Sequence, residues 1–73
     1  MIPKRYALVI EKTSTVYSAY SPDVPGCAAV GDTEDETRRN FQDVLAAHFE
    51  VMRELSEPIP EPSSSVDYVE VAA

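Results

Sequence analysis

A single helical period constrains this chain more than any other feature. From Phe41, apolar side chains recur at three- and four-residue steps: Val44, Leu45, His48, Val51, Met52 and Leu55. At about 100° per residue these fall on one side of a helix, with Arg39, Asp43, Glu50 and Glu54 opposite. Thr33 and Glu36 have the spacing of a capping box, and Glu34, Asp35 and Glu36 complement the positive end of the helix dipole. Pro58 and Pro60 cannot continue a helix. The spacing predicts one helix over residues 34–56, packing Phe41, Leu45, His48, Met52 and Leu55 inward. With 73 residues in all, the chain is read as a single domain, 1–73, and everything else must form around that helix.

What precedes the helix reads as strands. Residues 6–11 (Tyr-Ala-Leu-Val-Ile-Glu) are β-prone, residues 12–15 (Lys-Thr-Ser-Thr) are a polar turn, and residues 16–21 resume as a second strand, so a hairpin is expected. Pro22-Asp23-Val24-Pro25-Gly26 then breaks the ladder, with Gly26 placed for the positive φ of a type II turn. Residues 27–31 form a short third strand. After the helix, residues 58–65 are a connector, extended by its prolines and flexible in its serines, and residues 66–71 (Val-Asp-Tyr-Val-Glu-Val) alternate as a fourth strand.

The predicted class is therefore α+β in the order βββαβ. Two hairpin reversals and a right-handed crossover place strand four parallel to strand one, in the sheet order 3-2-1-4. One helix covers one sheet face. Yet Tyr6, Leu8 and Ile10 and their neighbours Ala7 and Val9 are apolar on both faces, so a second copy or a partner is expected on the other.

Charge narrows the partner. Thirteen acidic residues against six basic ones leave a formal charge of −7. Affinity for nucleic acid rests largely on Lys and Arg displacing counterions, so direct binding to DNA or RNA is not expected. A basic protein would be attracted instead. Cys27 is the sole cysteine, which excludes an internal disulfide and fits a reducing compartment. The first apolar run is too short to span a bilayer, and no signal-peptide pattern follows it. The expected location is cytoplasmic.

Tyr20-Ser21-Pro22-Asp23-Val24-Pro25-Gly26-Cys27, followed by Gly31-Asp32-Thr33 and Glu36, resembles the tyrosine-bearing strand, P-D-x-P-G-C turn and G-D-T-x-x-E helix start of HicB-like antitoxins. The resemblance extends over residues 6–72. It implies a βββαβ fold described as a partly degraded ribonuclease H-like core, and pairing with a small basic mRNA-cleaving toxin, HicA. Many family members continue into an operator-binding domain, and no such element is read here. Thr37 stands where the family often has alanine.

Few residues invite a catalytic reading. Asp23 could serve a metal, but an aspartate in a turn ordinarily accepts nearby backbone N–H groups. His48, the only histidine, sits in the apolar stripe without a second ligand at metal spacing, and reads as a hydrogen-bonded core side chain. Cys27 has no adjacent cation to activate it. Metal-dependent hydrolysis of the ribonuclease H kind needs converging carboxylates, and Glu11, Asp32, Asp67 and Glu70 are scattered. No catalytic, metal-binding or cofactor-binding residue is assigned, and the chain is expected to be a non-enzymatic antitoxin that occludes its toxin. An orphan homo-oligomer of the same fold is the alternative. The expected partner-binding residues are Glu50, Glu54, Glu57 and Glu61, next to Asp43, together with Tyr17 and Tyr20; Tyr68 is a further anchor candidate.

Overall fold

The computed structural model describes residues 3–73. Three short strands, β1 (Val9–Lys12), β2 (Tyr17–Tyr20) and β3 (Ala28–Gly31), precede one helix, α1 (Glu34–Glu54). The strands form one antiparallel sheet in the order β1-β2-β3. Ile10 and Ala29 lie opposite Ala19 on the two neighbours of β2. Because side chains alternate along a strand, this row and the row of Lys12, Tyr17 and Gly31 share the face that α1 covers. Val9, Tyr20 and Ala28, with Glu11, Ser18 and Val30, occupy the other.

The turns follow their side-chain chemistry. Thr13 closes the β1–β2 hairpin: its N–H donates to the Val16 carbonyl at 2.8 Å, and its hydroxyl oxygen accepts the Val16 N–H at 3.0 Å. Gly26 has φ +89°, the positive value expected at that turn. At the helix start, Thr33 Oγ1 accepts the Glu36 N–H at 3.0 Å, while Glu36 Oε2 reaches back to the Asp32 N–H at 3.3 Å. The capping box thus forms, with its return bond one residue earlier than the usual pattern.

The helix ends before the prolines. Ser56 takes φ +57°, its N–H bonds to the Arg53 carbonyl, and the Glu57 N–H bonds to the Met52 carbonyl. These two bonds are a Schellman motif, with serine where glycine is usual. The helix therefore stops at Glu54, two residues short of the expected Ser56.

The core comprises Ala19, Val24, Cys27, Phe41 and Phe49, flanked by Tyr6, Leu8, Ile10, Ala29, Leu45, Met52 and Ile59. The helix is rotated from the expected inward face. Phe49, not anticipated, is buried, whereas Leu55 is 63% exposed and packs no core. His48 is half-buried beside the Phe49 ring, centroids 6.2 Å apart, and makes no hydrogen bond among the described residues, contrary to expectation. Burying each phenylalanine is worth about 1.5–3 kcal/mol. Thr37, fully buried, sits directly under Gly31 and bonds through its hydroxyl to the Thr33 carbonyl at 2.6 Å. A Cβ built on Gly31 would lie 2.7 Å from Thr37 Oγ1 and 2.8 Å from Thr37 N, so only glycine lets β3 approach the helix here.

The expected fourth strand is not formed. Residues 66–71 pair with no strand, and Tyr68, Val69 and Val71 are 91%, 86% and 76% exposed. The expected first strand is also shorter, since residues 6–8 lie outside the ladder. The reason is common to both: residues 6–8 and 66–71 are β-prone, but neither has a backbone ladder partner among the described residues, and propensity alone does not hold a strand.

Candidate functional site

The carboxylates read as partner-binding lie on the helix and just past it. Glu50 and Glu54 stand one turn apart and exposed; Glu57 is exposed in the C-terminal turn. Glu61 is engaged within the chain by the Lys4 ammonium, and that bond raises the Lys4 pKa. Tyr17 lies on the helix side of the sheet beneath the Lys12 ammonium, 5.9 Å from the ring centroid. Tyr20, part-exposed, lies on the open face. Tyr20 and the helical carboxylates therefore occupy opposite sides of the sheet and form no common patch.

A different set does converge. At about 100° per residue, Val44, His48, Val51 and Leu55 span roughly 60° of helix surface. They lie between the buried arc of Phe41, Leu45, Phe49 and Met52 and the arc of Asp43, Glu50 and Glu54. Val44, Val51 and Leu55 are 38%, 51% and 63% exposed. The result is an exposed apolar stripe bordered along one side by carboxylates. The sequence had the signal, because the apolar period is too wide for one face of a helix lying on a small sheet.

Asp23 is not the local turn acceptor that its place in the turn suggests. Its two carboxylate oxygens accept four hydrogen bonds from residues 40 and 41 positions away: the N–H and hydroxyl of Ser63, both at 3.0 Å, and those of Ser64 at 3.0 and 2.9 Å. The Ser64 N–H and hydroxyl, followed by those of Ser63, lower the Asp23 pKa. The same extended strap is held by the Tyr6 hydroxyl, which donates to the Pro60 carbonyl at 2.6 Å, and by Ile59 packed on the core. The carboxylate in the P-D-x-P-G-C turn thus fastens the C-terminal strap to the far end of the sheet.

Burial raises the pKa of the Cys27 thiol, away from the reactive thiolate. Among the described residues, no three His, Cys, Asp or Glu side chains stand together as metal ligands, and no helix is long and apolar enough to cross a membrane. The cleft between strap and helix, lined by Tyr6, Leu45, Phe49 and Ile59 among others, contains no carboxylate, histidine or thiol.

Comparison with known proteins adds what geometry alone does not. A family model described as "HicB_like antitoxin of bacterial toxin-antitoxin system" matches residues 6–72. The chain is 36% identical over 64 residues to an uncharacterized 14.9 kDa protein of Haemophilus phage HP1, covering 88% of this chain and 48% of that protein. It is 34% identical over 70 residues to "Antitoxin HicB 2" of Photorhabdus laumondii, covering 94% of this chain and 50% of that one. It spans about half the length of these curated relatives. A chain of the solved "HicA3 and HicB3 toxin-antitoxin complex" superposes with a TM-score of 0.69 at 30% identity, over 81% of this chain and 69% of that one.

Proposed function

The chain belongs to the HicB-like antitoxin family, and from that membership we propose that it neutralises a small basic HicA-type toxin, an mRNA-cleaving enzyme, by covering the toxin's working surface in the cytoplasm. The observation that carries the contact assignment is the apolar stripe of Val44, Val51 and Leu55 bordered by Asp43, Glu50 and Glu54. Carboxylates steer a basic partner into place, and desolvated aliphatic side chains then hold it. Glu57 extends the acidic border past the helix end, whereas Glu61 contributes only if it exchanges Lys4 for the partner.

In this reading the domain is not an enzyme and binds no nucleic acid itself, because its −7 charge opposes a phosphate backbone. The ribonuclease H-like ancestry that the family implies belongs to the same reading. A homo-oligomer without a toxin is the second reading, favoured by the open sheet face, where Tyr20 and Val30 are part-exposed. A short basic reading frame beside the gene would separate the two.

The test uses that neighbouring toxin. Glu50→Lys with Glu54→Lys should slow association at low salt and flatten its salt dependence. Val51→Ser should leave association unchanged and speed dissociation. Stopped-flow mixing at two ionic strengths reads both rates. Wild-type rates in both variants would place the toxin elsewhere, and a toxin left fully active by the intact antitoxin would overturn the function itself.

A further inference from the structure

We infer that residues 66–71 are a strand for a second copy of this chain, which takes them up along the outer edge of β1. The molecule contains both halves of a strand pair and joins neither. Val66-Asp67-Tyr68-Val69-Glu70-Val71 is β-prone, apolar at four of its six positions, and exposed throughout. Among the described residues, β1 is an edge strand with β2 on one side and no strand on the other. An edge leaves alternate backbone N–H and C=O groups unpaired and templates another strand. The β3 edge is less open, since the Asn40 side-chain amide donates to the Val30 carbonyl at 2.9 Å.

Placement makes the exchange reciprocal. Asp23 grips Ser63 and Ser64, and beyond that grip Ser64, Ser65 and Val66 line a cleft with Arg5, Tyr6 and Ala7, just before β1. The arm therefore leaves the molecule on the β1 side. The molecule extends 47 Å along its longest axis, whereas a 21-residue helix accounts for only about 32 Å. Six extended residues reach roughly 20 Å, enough to lie along the whole of a partner's four-residue β1. Two arms leaving beside two unpaired edges are related by a two-fold axis, the commonest symmetry of small assemblies.

Charge is compatible with the same pairing. Lys12 ends β1 and Arg5 lies four residues before its start, and the arm carries Asp67 and Glu70. Arg5 makes no ion pair among the described residues. Opposite charges on paired strands are favourable, and the exchange would also bury the exposed Val69 and Val71.

The experiment uses the whole chain without any toxin, so its outcome is separate from the antitoxin reading. Sedimentation velocity over a micromolar concentration series should show a monomer–dimer equilibrium. Val69→Pro, which removes a ladder donor at an exposed position, should weaken it about tenfold or more. Helical circular dichroism should stay unchanged, because Val69 is 86% exposed. A sample mixed from differently isotope-labelled copies should give inter-copy contacts between residues 66–71 and β1. A strict monomer, or a dimer indifferent to Val69→Pro, overturns the proposal. Contacts from the arm to β1 of its own copy overturn it in favour of a fourth strand made within one chain. An arm that orders only on adding the neighbouring toxin overturns it in favour of a toxin-binding strand.

Discussion

The helix–sheet layer and the C-terminal strap are held by different physics. Between α1 and the sheet, side chains such as Phe41, Phe49 and Ala19 are removed from water in one continuous cluster. The strap runs over the surface and is fixed at points: Ile59 on the core, Tyr6 on Pro60, Lys4 on Glu61, Asp23 on Ser63 and Ser64. Burial sums over many contacts and fails cooperatively, whereas exposed polar contacts fail one at a time. The domain should therefore unfold as one unit through the first region and loosen locally through the second.

The largest effect that tests this division lies on the helix. Phe49→Ala should cost about 3–5 kcal/mol, as large-to-small core changes do. In a small domain with only about 5 kcal/mol in hand, that approaches complete unfolding. Leu55→Ala, six residues on and largely exposed, should change stability by no more than about 0.5 kcal/mol. Urea denaturation of the two variants settles the helix rotation, and equal losses would restore the face on which Leu55 points inward.

A smaller effect is expected where the sheet meets the helix start. Gly31→Ala drives a methyl against Thr37 and should cost about 1–3 kcal/mol. Thr37→Ala removes the Oγ1 contact but leaves the backbone nitrogen 2.8 Å away, so the double variant should recover only part of the loss. Full recovery would mean that the backbone there can shift. It would also mean that the G-D-T segment needs glycine for Thr37 alone, an interesting outcome where the family often has alanine.

These same places show what the sequence made legible. The helix start was readable to the residue, because Thr33 and Glu36 act on neighbours a turn away. Its end was not: a Schellman turn on Ser56 carries no glycine to announce it, so the prolines beyond were read as the stop. The helix face was readable only as a broad apolar arc, since Phe41 and Val44 differ in burial by their distance from a sheet that sequence spacing does not locate. Phe49 was legible in principle, standing four residues from Leu45. In the candidate site, Glu50 and Glu54 were legible as exposed because their period opposes the apolar one. The bond from Lys4 to Glu61 and the grip of Asp23 on Ser63 and Ser64 join residues 57, 40 and 41 positions apart. No local pattern encodes such contacts. The fourth strand was legible as composition and failed as structure because a strand is a relation between two segments, and its partner is not paired with it here.

The smallest effect, and the sharpest for the strap, concerns Asp23. Its folded-state pKa is lowered, chiefly by the Ser64 N–H and hydroxyl and then by those of Ser63. A depressed carboxylate stabilises the folded state fully above its ordinary pKa, and loses that contribution as pH falls through the lower folded value. The grip should thus be constant from about pH 5 to 8 and release only in acid, below the ordinary 3.8. The Ser63 and Ser64 amides should show flat chemical shifts and slowed hydrogen exchange across the neutral range, both lost together in acid. Asp23→Asn should reproduce the acid behaviour at neutral pH, because an uncharged amide is a weaker acceptor and has one carbonyl oxygen where the carboxylate has two. The amides of α1 should keep their protection in that variant, since no core side chain has moved. If α1 loosens as well, strap and core are one cooperative unit and the contrast between them fails. If instead Ser63 and Ser64 exchange fast in the wild type at neutral pH, the strap is not held at Asp23 at all, and the exit of residues 66–71 beside β1 has no anchor.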